Sequence, residues 1–239
     1  MTYLMIGLPV VTEGFKQYLV GLLDGYGSFQ TYAKRNGGTI TLRCKDTVQN
    51  KLMLLEIQNK LGIGKVYSHE SQNNTLRLMI FSKKDLELCK ILFELYPLIT
   101  TNMNYRYNVM LASLEKRNFS PQSDFSSSPE NLLALSYFNN WLVGFMEAES
   151  CFSIRKNGSH SFSISQADDK YIIEAIKIKF DISNPIREIP LKSGKTLYLI
   201  ESYKKATLLN ILNFLDSDHI EKFKGEKLIQ FNKFKSLVD

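Results

Sequence analysis

Cysteine and histidine are scarce in this chain of 239 residues, which holds three of each. The cysteines form no Cys-x-x-Cys pair and the histidines are isolated, which argues against a disulfide framework, a structural zinc site and histidine-based catalysis. We therefore expect a protein of a reducing compartment, in which Cys151 is a small buried residue. The six residues are Cys44, Cys89, Cys151, His69, His160 and His219.

Long apolar runs are also missing. The run at residues 4–11 is interrupted by Gly7 and Pro9 and falls far short of the roughly 20 residues of a membrane helix, so no membrane partner is expected. Hydrophobic residues still make up 44% of the chain and charged residues 23%. This composition predicts a globular protein with one large core or two small ones.

Net positive charge is concentrated in the first half of the chain, because the second half holds as many cations but more acidic residues. Residues 1–117 hold 15 Lys and Arg against 9 Asp and Glu, whereas residues 131–239 hold 15 against 13. A basic half favours a polyanionic partner, because it attracts phosphates and releases their counterions, although many solvated surfaces carry such charge without binding anything. Lysine supplies 23 of the 30 cations, which is typical of AT-rich organellar coding.

One unit of sequence occurs twice. Residues 18–29 read YLVGLLDGYGSF and residues 141–152 read WLVGFMEAESCF. Each copy is an apolar helical stretch with an acidic residue near its end and a glycine inside it, Gly21 or Gly144. Glycine disfavours a helix interior, so its presence in both copies predicts close backbone approach to a partner helix, which is most simply the other copy.

The same order of elements is predicted after each copy. Alternating polar and apolar residues, turn formers and caps indicate two strands, a helix, two more strands and terminal helices. The chain is therefore predicted to be α+β, with two pseudo-symmetric αββαββα halves at residues 1–117 and 131–239. Residues 118–130, rich in Ser and Pro, are predicted to be a linker. Asp46 is the candidate N-cap of the helix that ends near Gly62.

The strands carry a candidate binding surface. Alternation sends one set of side chains into the core and a polar, basic set to one exposed face, where a twisted sheet can enter a groove of nucleic acid and meet base edges. A solvated outer face of an antiparallel sheet is the alternative. The predicted nucleic-acid-binding residues are Lys34, Arg35, Arg43, Lys45, Lys65, Arg77 and Lys83 in the first half and Arg155 and Lys156 in the second.

The motifs LVGLLDGYG and LVGFMEAES, each followed by such elements, resemble the two motifs of single-chain LAGLIDADG proteins, the homing endonucleases and related intron maturases. The resemblance extends over about residues 17–235. It implies a monomer in which the motif helices pack at a pseudo-two-fold axis and each half has an antiparallel sheet, the two sheets forming a saddle-shaped nucleic-acid-binding surface. It also implies an acidic residue at the eighth position of each motif, where paired carboxylates and Mg²⁺ suit phosphodiester hydrolysis.

The first motif departs from the family pattern at that eighth position. Glu149 fits in the second copy, but Tyr26 stands in the first. A phenol, with a reference pKa near 10, stays neutral and cannot replace a carboxylate at a metal ion. The resemblance further implies a basic residue at the start of the last helix of each half. Lys227 fits this role in the second half, whereas Met103 stands at the corresponding place in the first.

Other motif positions are expected to be structural. The resemblance places Asp24 and Glu147, at the sixth position, in the interface between the motif helices together with Gly21 and Gly144. Glu149 has the alternative of accepting hydrogen bonds at a helix end, and Lys227 that of a surface lysine. If the chain is active, Glu149 is the candidate metal ligand and Glu149 and Lys227 are the candidate catalytic residues.

Three functions remain open. The favoured one is a binding protein with a crippled cleavage centre and no cofactor, acting on structured RNA as an intron maturase or with other proteins of an organellar ribonucleoprotein. The second is a Mg²⁺-dependent, site-specific DNA homing endonuclease or nickase that binds double-stranded DNA and uses Glu149 and Lys227. The third is a protein–protein scaffold. A mitochondrial location is expected from the resemblance, although residues 1–15 lack the Arg- and Ser-rich pattern of a transit peptide.

Overall fold

A computed structural model describes residues 11–32, 37–69, 74–116, 128–156 and 159–238, with only the backbone of His69. The same order of elements occurs twice, except that the short helix α5 (Pro129–Leu133) precedes the second copy. The first half consists of α1 (Glu13–Tyr26), β1 (Gly27–Tyr32), β2 (Gly37–Lys45), α2 (Val48–Leu61), β3 (Lys65–His69), β4 (Thr75–Ile80), α3 (Lys83–Leu95) and α4 (Thr101–Glu115). The second consists of α5 (Pro129–Leu133), α6 (Phe138–Glu149), β5 (Ser150–Ile154), β6 (His160–Ala167), α7 (Lys170–Lys179), β7 (Arg187–Pro190), β8 (Thr196–Ser202), α8 (Lys205–Asp216) and α9 (Glu226–Val238).

The predicted α+β class is confirmed, and each half contains one four-stranded antiparallel sheet. The strand orders are β1-β2-β4-β3 and β5-β6-β8-β7, so the two sheets share one topology. In both, the first strand continues directly from a motif helix: Gly27 follows α1 and pairs with Leu42, and Ser150 follows α6 and pairs with Ile164. The chain therefore places the end of each motif helix at the first strand of its sheet.

Helices cover one face of each sheet and leave the other face open. In the first half, Ile40, Leu42 and Leu78 are at most 2% exposed and point into the core, where α2, α3 and α4 pack against the strands. The side chains that alternate with them lie on the opposite face. We call the two uncovered faces the first and the second open face; the first carries Arg43, Lys45, Lys65, Tyr67 and Arg77.

Helices α1 and α6 pack directly against each other. A β-carbon added at Gly21 would lie 1.9 Å from the carbonyl oxygen of Trp141, and one added at Gly144 would lie 1.9 Å from that of Tyr18. No side chain fits into such a gap. The absence of a side chain at both glycines is therefore what allows the two backbones to touch.

Three local expectations are wrong in detail. The N-cap of α2 is Thr47, whose hydroxyl accepts a hydrogen bond of 3.2 Å from the Asn50 N–H, because the Asp46 carboxylate instead accepts one of 2.8 Å from Ser68. Pro129 and Glu130, assigned to the linker, already belong to α5; residues 117–127 lie outside the described part. Cys151 is exposed because its side chain lies on the second open face.

Within the described residues, none of the helices is both long and apolar enough to cross a membrane.

Candidate cleavage centre and nucleic-acid interface

The sixth motif residue of each copy caps the last helix of its own half. Asp24 accepts hydrogen bonds from the backbone N–H groups of Ile99 at 2.8 Å and Thr100 at 3.1 Å, at the start of α4. Glu147 accepts them from Lys224 at 2.8 Å and Gly225 at 3.0 Å, just before α9. Both carboxylates are nearly inaccessible, at 3% and 2% exposure. Their hydrogen bonds hold the first turns of α4 and α9 against the motif helices.

Burial of these acids raises their pKa values. Desolvation raises the pKa of Asp24 to about 6, against hydrogen bonds from Ile99, Trp141 and Thr100 that lower it. Burial also raises the pKa of Glu147, although Lys224, Tyr18 and Gly225 donate hydrogen bonds to it. Both acids are committed to helix caps and are therefore not free to hold a metal ion.

The eighth motif residues lie at neighbouring ends of α1 and α6. A β-carbon at Gly25 would be 2.3 Å from Cβ of Ala148 and 3.6 Å from Oε1 of Glu149, so the two helix ends are in contact. Glu149 is half-buried at the end of α6. Desolvation raises its pKa to about 7, and the charge of Lys227 opposes that rise. One titratable carboxylate therefore stands at this centre.

Tyr26 occupies the other side of the centre. Its hydroxyl donates a hydrogen bond of 3.4 Å to the carbonyl oxygen of Glu147, and its half-buried ring packs against the core. Burial raises the pKa of the phenol above its ordinary value, as do the charges of Glu147, Cys44 and Glu149. The phenol is thus neutral and directed at the opposite motif helix.

Lys227 lies in the first turn of α9, beside Ser150, the residue that follows Glu149. It is 9% exposed, and its ammonium group donates hydrogen bonds to the carbonyl oxygen of Ser150 and, at 3.4 Å, to Oε1 of Gln230. Burial lowers the pKa of Lys227, against the charges of Cys151, Glu147 and Glu149. Its position places a cation at the junction of α6 and β5, directly after Glu149.

In the first half, an uncharged side chain occupies the place of Lys227. Two equivalent ring contacts align α4 with α9: Phe29 contacts Tyr107 at 5.7 Å, and Phe152 contacts Phe231 at 5.6 Å between ring centroids. This register pairs Lys227 with Met103, which packs against the core.

Aligning α4 and α9 by the hydrogen bonds that cap them gives a register that differs by one residue and matches Lys227 with Asn102. The shift arises from the tight first turn of α9, in which the Leu228 N–H donates to Gly225 at 3.0 Å. In either register, the first half has no lysine there.

The donor set fits at most one Mg²⁺ held jointly with a phosphate. Within the described ranges, no group of three or more His, Cys, Asp and Glu side chains could hold a metal ion. Mg²⁺ is commonly held by one or two carboxylates together with substrate phosphate oxygens. Glu149 supplies one such carboxylate, whereas a second metal on the Tyr26 side would lack a charged ligand.

Serine at the ninth position of the second motif is unstrained. Ser150 has φ −87° and ψ 160°, which is extended backbone, and its hydroxyl donates a hydrogen bond of 2.6 Å to the carbonyl oxygen of Met146. A serine at the position that is Gly27 in the first motif is therefore compatible with an intact helix end.

The predicted basic residues of the first half are divided among different places. Arg43, Lys45 and Lys65 are exposed on the first open face, and Arg77 is half-buried beside Arg43 on the neighbouring strand. Thr39 and Thr41, on the same face, are buried, so the exposed side chains of this face include its basic residues together with Gln30 and Tyr67. Lys83 lies elsewhere, because it begins α3 and lines a cavity of about 400 Å³ between α3 and α4. Lys34 and Arg35 fall outside the described residues.

In the second half, Arg155 and Lys156 are exposed at the end of β5. Sequence reasoning missed the partners of Arg155. Glu201 on β8 forms ion pairs with Arg155 at 3.3 Å and with Arg187 of β7 at 3.0 Å. No sequence signal identifies this cluster, because its three members are far apart in the chain and meet only through strand pairing.

The profile of the family described as LAGLIDADG endonuclease matches residues 19–111 and 142–238. The chain belongs to this family. A relative named probable intron-encoded endonuclease aI3, from Dictyostelium citrinum, is 31% identical over 94% of this chain and 96% of its own length. A protein of the same name from Debaryomyces hansenii is 29% identical over 92% of this chain, which spans 38% of that protein.

The fold of this LAGLIDADG chain is shared with solved structures. The LAGLIDADG meganuclease I-CpaMI, bound to uncleaved DNA, superposes with a TM-score of 0.68 and is 20% identical, over 94% of this chain and 90% of that chain. The likeness establishes the architecture of two sheets around a pair of motif helices.

Proposed function

We propose that this LAGLIDADG protein binds a structured nucleic acid in the groove between its two sheets and does not cut both strands. The observation that carries the proposal is that the two equivalent positions at the adjacent ends of α1 and α6 hold a tyrosine, Tyr26, and a single acid, Glu149. Cleavage of two strands at one centre requires charged metal ligands on both sides. A neutral phenol hydrogen-bonded to the Glu147 carbonyl supplies none.

We further propose that the target is RNA of the host intron, bound as an intron maturase or as a component of a mitochondrial ribonucleoprotein. The first open face supports this, since Arg43, Lys45 and Lys65 are exposed there. RNA recognition relies on shape and backbone contacts, and neither requires paired carboxylates. The relatives' names, which describe intron-encoded proteins, support an origin within an organellar intron.

The second candidate function is a nickase acting on double-stranded DNA, and the retention of Glu149 beside Lys227 favours it. In its ionised form Glu149 would hold Mg²⁺ together with the scissile phosphate, and Lys227 would stabilise negative charge near the junction of α6 and β5. A Mg²⁺ ion at this place supplies polarisation of the phosphoryl oxygens and charge stabilisation. The Tyr26 side would leave the other strand intact.

Two experiments test these proposals. Supercoiled plasmid carrying the joined exon sequence of the host gene is incubated with the protein and Mg²⁺; we expect no linear product, and nicked circles that disappear in Glu149→Gln would establish the nickase. Linear product would refute the proposed loss of double-strand cutting. Sequencing of the nucleic acid that copurifies with the native protein decides the target, and intron RNA of one defined species is the expected result.

A further inference from the structure

We infer that the two open faces engage nucleic acid in different ways: the first holds phosphates by exposed charge, whereas on the second Glu201 pairs with both arginines and reduces the charge available to phosphate, so that a target is bound in one orientation. This inference rests on the proposed nucleic-acid binding.

Strand register allows a position-by-position comparison of the two sheets. Because Gly27 pairs with Leu42 and Ser150 with Ile164, each position on β2 and β4 has one equivalent on β6 and β8. Three cationic positions of the first face are uncharged on the second, and the position of a methionine is taken by an acid. The matched pairs are Arg43 with Ser165, Lys45 with Ala167, Arg77 with Leu199, and Met79 with Glu201.

The two arginines of the second face form ion pairs with an acidic residue of the same face. Arg155 and Arg187 both pair with Glu201, and Arg155 also donates a hydrogen bond of 3.0 Å to the hydroxyl of Tyr203. Only 18% of the Glu201 side chain is exposed, against 49% and 58% for the two arginines. The acid therefore sits between its partners. Partial burial raises its pKa, but the interaction with the Tyr203 hydroxyl and the charges of both arginines lower it by more, so Glu201 is ionised.

Three exposed cations of the first face are not held by an acid in this way. Arg43, Lys45 and Lys65 form no ion pair with any residue in the described ranges, and none of the first-face strand positions within those ranges is acidic. Exposed, unpaired cations are the groups that replace counterions on a phosphate backbone. Contacts that neutralise phosphate charge are thus expected mainly from the first face.

The remainder of the second face is suited to uncharged contacts. Ala167, Leu197 and Ile189 lie side by side on three neighbouring strands, and Leu199 lies on the same face. Ile189 is 39% exposed, and Leu197 and Leu199 are half-buried without packing against the core. Apolar side chains contact base edges and sugars rather than phosphates. One end of a bound duplex is therefore held by charge and the other by shape.

The test measures how binding depends on salt. Fluorescence anisotropy with a 30-base-pair RNA duplex and a DNA duplex of the same sequence gives the slope of log K against log salt. Removing two first-face cations, in Arg43→Gln with Lys45→Gln, should reduce the slope by about one unit per lost phosphate contact. Glu201→Gln should do the opposite, since it frees Arg155 and Arg187 for phosphate and should increase the slope by about one to two units.

Glu188→Gln is the matched control for Glu201→Gln. Glu188 lies on β7, next to β8, but on the covered face, where it pairs with Lys170 at 2.8 Å. It therefore gives the same change in net charge without freeing an open-face arginine. A larger slope for Glu201→Gln than for Glu188→Gln supports the inference; equal slopes overturn it, as does an unchanged slope in the first-face variant. Wild-type protein that binds neither these duplexes nor the RNA of the host intron would instead refute the proposed function itself.

Discussion

The indole Nε1 of Trp141 donates a hydrogen bond of 2.7 Å to Oδ2 of Asp24, across the junction of the two motif helices. The equivalent contact in the other copy runs from the hydroxyl of Tyr18 to Oε2 of Glu147, at 3.0 Å. Each acid thus binds the opposite motif helix through an aromatic side chain and its own half through the start of α4 or α9. The sixth motif position therefore couples both halves of the molecule to one pair of helices.

Asp24→Asn is expected to lower the free energy of unfolding by about 1–3 kcal/mol. Both carboxylate oxygens of Asp24 accept hydrogen bonds, from Ile99 and Trp141 on one side and Thr100 on the other. In asparagine, an NH₂ group would replace one of the two oxygens. It would face a hydrogen-bond donor, which would then lack an acceptor. Urea denaturation measures the change. Asp181→Asn is the control, because Asp181 is exposed with φ 50°, a backbone conformation that asparagine tolerates.

Glu149 should make the protein less stable as the pH rises toward 7. Its folded-state pKa, about 7, lies above the ordinary value of 4.5, so the folded state binds the proton more tightly than the unfolded chain. This contribution is fully present below about pH 4.5 and is lost as the pH rises through 7. Urea midpoints between pH 5 and pH 8 should therefore fall more for wild type than for Glu149→Gln. Parallel pH profiles would show that Glu149 is not desolvated.

The same proton also sets a pH requirement for any residual nicking. Only the ionised form of Glu149 can hold Mg²⁺, so at limiting Mg²⁺ the rate should rise from pH 6 to pH 8, and higher Mg²⁺ should shift this rise to lower pH because the cation favours the ionised carboxylate. The measurement is the initial rate of nicked-circle formation with Mg²⁺ and plasmid at saturating protein. A rate that is flat over this range would assign the limiting step to a group other than Glu149.

Sequence patterns predicted the features that can be recognised from a short stretch of the chain alone. The glycines Gly21 and Gly144 indicated a close helix contact, because the missing side chain of a glycine inside an apolar helix is by itself a sign of close packing. Glu201 could not be recognised in the same way. Its role depends on Arg155, 46 residues away, and on the pairing of β6 with β8. The prediction of Asp46 as the N-cap of α2 was wrong for a similar reason, because Ser68, on another strand, donates a hydrogen bond to the Asp46 carboxylate.

Gly21→Ala should destabilise the protein by several kcal/mol, at the upper end of the range for overpacking. The new β-carbon would lie 1.9 Å from the Trp141 carbonyl oxygen, which belongs to a helix backbone and cannot move alone. Gly14→Ala is the control on the same helix, because its β-carbon would have no neighbour nearer than 3.4 Å. Alanine favours a helix interior over glycine by about 1 kcal/mol, so this control should be neutral or slightly stabilising. Thermal denaturation followed by circular dichroism distinguishes the two variants.

Tyr26→Asp combined with Met103→Lys is expected to restore double-strand cleavage. The aspartate would place a second carboxylate beside Glu149, where the ends of α1 and α6 touch, and the lysine would recreate the position of Lys227 on α4. Paired carboxylates allow metal ions to act on both strands. Tyr26→Phe is the control, since it removes the 3.4 Å hydrogen bond to Glu147 without adding charge and should leave cleavage absent. The assay is the formation of linear plasmid from the joined exon sequence with Mg²⁺. If the double variant folds, binds as tightly as wild type and still gives no linear product, then the missing acid and base are not what prevents cutting.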